Sequence, residues 1–317
     1  MPWLIPLGFS REGRFHYAIW ANERQIYQAA VDLERGELTS LPEPAAHAAA
    51  RTSVSPDWSP DGRHLAYILP TIPGGGPPVL AVRALDTGEL RELTPRLRNF
   101  TQVRWSPDPR IVLLRGQDLE GREGVFRLNL ETGELALFFL GEETPRQQTL
   151  LSPDGRSVYF VRQQGETAVY QLVRRELDTG IEIEIQRGPN GTLALSPDGR
   201  QIAYAAFAPA GEPRPLLLFP AAGGAPRVLH RVPPATTIFT VDWSPDGRHI
   251  LFVASTVAGH NELWQLRVAT GEKRRLLAMA GLTGVQVHPD GARIAFAAGT
   301  GRLEVWSMAR APAPSRP

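Results

Sequence analysis

Six near-copies of one phrase recur along this chain: Trp58-Ser-Pro-Asp-Gly-Arg63, Trp105-Ser-Pro-Asp-Pro-Arg110, Leu151-Ser-Pro-Asp-Gly-Arg156, Leu195-Ser-Pro-Asp-Gly-Arg200, Trp243-Ser-Pro-Asp-Gly-Arg248 and Val287-His-Pro-Asp-Gly-Ala292. Their prolines stand at 60, 107, 153, 197, 245 and 289, which gives steps of 47, 46, 44, 48 and 44 residues. A period of this size marks a repeat architecture, in which each unit completes its burial only against its neighbours.

Within one period the pattern is that of four short strands. Ile238–Trp243 alternates, His249–Ala254 is an apolar run, Glu262–Val268 alternates again, and Lys273–Ala278 follows the turn Ala269-Thr-Gly271. Strands this short, separated by turn chemistry, form an antiparallel sheet. Four-stranded sheets repeated at this period are propeller blades. The repeated phrase supplies the turn between the first two strands. Proline presets φ at the first corner, aspartate bonds nearby backbone N–H groups, and glycine accepts positive φ. The preceding Trp or Leu is a wedge between blades.

A degenerate seventh copy is read at Phe9–Arg14, with Arg11 and Glu12 in place of Pro and Asp. The expectation is an all-β, seven-bladed β-propeller of four-stranded antiparallel blades, as a single domain over residues 1–309. The last blade is expected to be three-stranded, because the Pro-rich segment 310–317 makes a poor ladder strand and reads as a disordered tail. On this count the ring closes by face packing between blades seven and one, without an exchanged strand.

These residues resemble the TolB-type propeller repeat, the Ser-Pro-Asp-Gly relative of the WD repeats, over essentially the whole chain. The resemblance implies a propeller of six to eight blades. It also implies a protein-interaction scaffold, a lid domain of a prolyl-oligopeptidase-like enzyme, or a lyase. The chain departs from the pattern at Pro109, which cannot take positive φ, and at His288, which replaces the turn serine. The hydrolase domain that peptidase relatives append is not in this sequence.

Composition excludes several chemistries. With no cysteine, disulfides, thiolate nucleophiles and Cys-ligated zinc are ruled out. A formal charge of +1 gives no electrostatic reason to expect nucleic acid or an anionic membrane. No run of about 20 apolar residues and no signal peptide is visible, so a cytoplasmic protein is expected. Asn99-Phe-Thr101 and Asn190-Gly-Thr192 match glycosylation sequons and are read as chance. There is no Gly-x-Ser-x-Gly elbow, and Gly74–Gly76 runs into Pro77-Pro78 rather than into a phosphate loop. Lyases on related propellers gather histidines around a metal. Here the seven histidines, His16, His47, His64, His230, His249, His260 and His288, fall at unlike blade positions. His64 and His249 share one position after the turn arginine, and are expected to face outward as strand starts. No metal and no cofactor is expected.

The sharpest candidate site comes from aligning the inner strands on the wedge. The residues just before it include Asp57, Arg104, Asp242 and Gln286, with Gln102 and Gln148 one layer away. Strand alternation places these polar groups where inner strands approach the central channel. Two carboxylates and an arginine there can take a cation, a peptide terminus or water, or simply satisfy one another. The longer loops, 45–52, 71–77, 208–213 and 257–261, emerge together on one face, and variable loops on a rigid scaffold usually carry function. The leading expectation is a monomeric, non-enzymatic scaffold that binds a protein or peptide on the long-loop face at the channel mouth. The alternatives are a lyase or hydrolase with its site at the channel, or a stand-alone relic of a peptidase lid.

Overall fold

The computed structural model describes residues 3–12, 14–45, 52–70, 76–140, 149–163, 165, 169–206, 214–233, 236–256 and 260–308. Every regular element among them is a strand. Five four-stranded antiparallel sheets follow one another along the chain over residues 54–93, 97–140, 149–188, 191–232 and 238–279; they are blades one to five below. Within each, chain order is sheet order, so the first strand is always the inner one. The all-β propeller of four-stranded antiparallel blades is thus the fold.

The chain ends build the rest differently from expectation. Phe15–Asp32 is a single 18-residue strand, and Arg293–Met308 is one of 16. They pair antiparallel from Phe15↔Met308 to Ala30↔Arg293 without a register shift. One half of this ladder belongs to the closing blade. There Thr283–Val287 is innermost, the start of Arg293–Met308 is second, the end of Phe15–Asp32 is third, and Glu37–Leu38 is outermost. The other half, with Trp3–Phe9 added along the strand edge, is a three-stranded extension of the same sheet.

Seven antiparallel units therefore exist, the seventh three-stranded, but only six bring an inner strand to the ring. The unit beginning at Phe9–Arg14 lends its strands to the sector that the C-terminal repeat starts. The physical reason is hydrogen bonding. The C-terminal repeat has two strands of its own, and the N-terminal strands supply the ladder partners it lacks. Closure is by an exchanged strand, not by face packing alone.

Burial follows this arrangement. Six buried apolar clusters lie between neighbouring sectors, the last joining Ile26, Ala295 and Ala297 of the closing blade to Trp58, Leu65 and Tyr67 of blade one. Alternation splits each second strand between two clusters. Ile250, Phe252 and Ala254 pack toward blade four, while Leu251 and Val253 pack toward the closing blade. Strands buried on both faces read as continuous apolar runs, which is why 249–254 does.

The Ser-Pro-Asp-Gly phrase forms the turn assigned to it. In blade one, Ser59 Oγ donates to Asp61 Oδ1 at 2.5 Å, and Asp61 Oδ1 accepts the Arg63 N–H at 3.0 Å. Gly62 has φ +69°. The same bonds recur at Ser152–Asp154, Ser196–Asp198 and Ser244–Asp246. The serine hydroxyls hold Asp154 and Asp198 below the usual carboxylate range. At the variant turn, Asp108 instead takes both Nε and Nη2 of Arg110, at 3.0 and 2.8 Å. Among the described residues no helix is long and apolar enough to cross a membrane.

Candidate functional site

The six inner strands surround a cavity of about 540 Å³, lined from every sector by the stretch running from the wedge into its turn. The turn prolines Pro60, Pro107, Pro153, Pro197, Pro245 and Pro289 also line it. Asp57, Arg104, Asp242 and Gln286 all line it. Gln102 is half-buried and lies outside this wall, and Gln148 falls outside the described residues. The position along the channel differs from expectation. These side chains precede the tight turns, so they sit at the tight-turn end of the inner strands, opposite the long loops. The bulk of those loops, residues 46–51, 71–75, 207–213 and 257–259, lies outside the described residues, as does the 310–317 tail.

The two carboxylates do the same job. An innermost strand is a sheet edge, so its channel-side N–H groups lack ladder partners. Asp57 Oδ2 accepts the backbone N–H of Trp105, the wedge of the next blade, at 2.6 Å. Asp242 Oδ2 accepts that of Val287, again the next wedge, at 2.7 Å. Ser55 joins in: its Oγ accepts the Val103 N–H at 3.3 Å, from a backbone with φ +55°. The wedge indoles complete the stitching. Trp105, Trp243 and Trp58 donate Nε1–H to the carbonyls of Asp57, Ala194 and Gln286 in the preceding sector, at 3.1, 3.1 and 3.3 Å. The last of these crosses the closure.

Electrostatics at the cavity is a competition for one cation. Arg104 Nη1 lies 3.2 Å from Asp57 Oδ1. Burial pushes Asp57 upward, against the pull of Arg104 and the Trp105 amide. Asp242 is driven up to about 7 by burial, with the charge of Asp57 adding to it and the Val287 N–H and Arg104 opposing. The cavity thus sets the pull of Arg104, 3.2 Å away, against the burial of Asp57, and leaves the Asp242 carboxyl near its midpoint at neutral pH. Arg104 Nε has no partner among the described residues. Ser55 and the buried Thr149 of the cavity wall were not singled out from sequence; the only signal was a small polar residue three before, or two before, a wedge.

The strand-start histidines do not face outward. His249 is 0% exposed, and His64 is half-buried with its ring 6.2 Å from that of Trp105. His249 is covered by the hairpin turn that carries Glu34, in the closing blade. His288, the turn variant, bridges the closure. Its Nε2 lies 2.8 Å from the Gly62 carbonyl, and its ring meets Trp58 edge-on at 4.7 Å.

No protein-family model matches the chain. Over 161 residues, 49% of the chain, it is 27% identical to an uncharacterized peptidase, YuxL, of Bacillus subtilis, and the match spans 22% of that relative's length. Among solved structures, a TolB candidate from Agrobacterium tumefaciens superposes with a TM-score of 0.67 at 18% identity, covering 88% of this chain and 98% of that one. An oligogalacturonate lyase in complex with manganese superposes at 0.55 with 16% identity, over 92% and 77%. Together with the repeated turn and its sheets, these likenesses give the chain the fold of the TolB-type β-propellers.

Proposed function

We propose that this propeller is a non-enzymatic scaffold that binds a protein or peptide at its channel mouth. The observation that carries the reading is the use of the two channel carboxylates. Asp57 and Asp242 each hold a wedge amide of the next sector. Groups committed to backbone in this way are poor general bases, because an acid–base catalyst must be free to reach its substrate's proton. What remains for a ligand at the cavity is Arg104, paired to Asp57 through Nη1, and the half-buried Gln286. A guanidinium in a cavity lined by six turn prolines suits a peptide carboxylate. The likeness to TolB supports a binding role. The long-loop face is the second surface within the same proposal.

One observation favours the enzyme alternative: Asp242 keeps a proton up to about pH 7, in the range of a general acid. Its occupied Oδ2 and the lack of a nucleophile elbow weigh against it.

The test is crosslinked capture from native lysate by tagged full-length chain. Wild type is compared with Arg104→Gln/Gln286→Ala and with a chain whose residues 71–75 are replaced by Gly-Ser. Partners lost only in the channel variant support the turn-end site, and partners lost only in the loop variant move the site to the opposite face. Capture unchanged in both would remove the binding proposal, as would turnover of an oligosaccharide or peptide panel that Asp242→Asn abolishes.

A further inference from the structure

Between blade five and the closing blade, away from the channel, three side chains of metal-ligating type converge. Asp246 comes from the blade-five turn and His249 from the strand start just after it. Glu34 comes from the hairpin turn that follows Phe15–Asp32, on the N-terminal segment. One ligating atom from each lies within 4.8 Å of the others. The imidazole gives an independent sign of a ligand. His249 is 0% exposed, and among the described residues neither Nδ1 nor Nε2 has a hydrogen-bond partner. Its backbone is held, since its N–H donates to Ser244 Oγ at 2.9 Å. A buried imidazole with no partner carries a desolvation cost that a bound ligand removes. Beside it, Gln265 is buried with Oε1 unpartnered among the described residues, while its Nε2 donates to the carbonyl of Leu33, next to Glu34.

We propose that Glu34, Asp246 and His249 bind a divalent transition-metal ion of the zinc class, which staples the N-terminal segment to blade five. One imidazole and two carboxylates are a zinc donor set, three protein ligands with a position left for water. The carboxylates are shared with two arginines. Glu34 Oε2 is 2.9 Å from Arg267 Nη2, Glu34 Oε1 is 3.6 Å from Arg248 Nη1, and Asp246 Oδ2 is 4.0 Å from Arg248 Nε. Those cations offset the negative charge. The site therefore selects for an imidazole-seeking ion over calcium or magnesium, which rely on several oxygen ligands. Asp246 Oδ1 is spent on Ser244 and the Arg248 N–H, leaving Oδ2 for the ion.

The repeat supplies an internal control. Asp61, His64 and Glu131 occupy the same three positions between blades one and two, around a cavity of about 370 Å³. There the histidine is half-buried against Trp105, and the three are not drawn together as a ligand set.

The experiment is titration of untagged, chelator-treated full-length protein with Zn²⁺, Mg²⁺ and Ca²⁺, read by calorimetry and by thermal melting. The expected result is one Zn²⁺ per chain and a rise in Tm of about 5 °C at a hundredfold excess over Kd. Magnesium and calcium produce neither effect. His249→Gln abolishes both readouts, Glu34→Gln weakens binding at least tenfold, and His64→Gln changes nothing. Glu34 is exposed, so its variant decides the matter even if His249→Gln does not fold. No zinc binding by wild type, or one-to-one binding untouched by Glu34→Gln, would overturn the proposal.

Discussion

Trp105 is held twice by Asp57: its backbone N–H donates to the carboxylate at 2.6 Å, and its indole N–H donates to the carbonyl at 3.1 Å. One residue of blade one thus fixes both the strand and the side chain of the wedge that opens onto blade two. Removing the carboxylate strands a backbone amide at the cavity and leaves Arg104 without its counter-charge. Asp57→Ala is expected to cost about 3 kcal/mol in urea denaturation. Asp57→Asn keeps an acceptor for the amide and is expected to cost less, about 1–2 kcal/mol. Equal costs would mean that the charge matters and the amide clamp does not.

Asp242 gives a pH dependence with a definite sign. Its carboxyl is raised in the folded protein to about 7, whereas an unfolded aspartate titrates near 3.9. Between those values the folded state holds the extra proton, so stability falls as pH rises from about 4 to about 7. Asp242→Asn mimics the protonated form and still accepts the Val287 N–H. The variant is expected to match wild type near pH 4 and to exceed it by at least about 1 kcal/mol at pH 8. Denaturation midpoints across pH 4–8 check this; parallel profiles for the two proteins would refute it.

The turn glycines separate two effects that usually come together. Gly62 and Gly247 share φ +69°, so alanine at either strains the backbone by about 1 kcal/mol. A Cβ at Gly247 meets nothing within 4 Å, whereas one at Gly62 falls 2.8 Å from the His288 ring. Gly62→Ala is therefore expected to cost about 1–2 kcal/mol more than Gly247→Ala. In a His288→Ser background the excess disappears, a coupling that a double-mutant cycle measures.

Truncation distinguishes the closing strands from the extension. Deleting residues 1–12 removes Trp3–Phe9 and leaves all six sectors intact; a cooperative melt is expected to survive. Deleting residues 1–40 removes the third and fourth strands of the closing blade, and no cooperative melt is expected. The opposite pattern would show that the N-terminal unit is the more important body.

The turn phrase and the strand pattern made the propeller legible, because aspartate, glycine and proline report local backbone geometry that any blade must satisfy. The same alignment found Asp57, Arg104, Asp242 and Gln286 at the channel. It misplaced the end of the channel they serve, since wedge register says which face a side chain takes but not which mouth it lies nearest. It also gave the N-terminal copy a sector of its own. Nothing local in Phe15–Asp32 distinguishes a strand that completes its own blade from one that completes another's. Pairing across most of the chain is a property of which partners are missing elsewhere. His249 looked like a surface strand start for the same reason: its cover, Glu34, comes from more than 200 residues away.

The long ladder between Phe15–Asp32 and Arg293–Met308 also sets an order in time. Ala30 and Arg293 are partners, so roughly 260 residues must be synthesised before the earlier strand can pair. At ~5–20 residues per second that is ~13–50 s during which five blades can stack while Phe15–Asp32 stays without its C-terminal partner. Contacts of such sequence separation form slowly. Ring closure thus waits for the C-terminal repeat to emerge, and until it happens blades one and five each present an apolar face to whatever the cell offers.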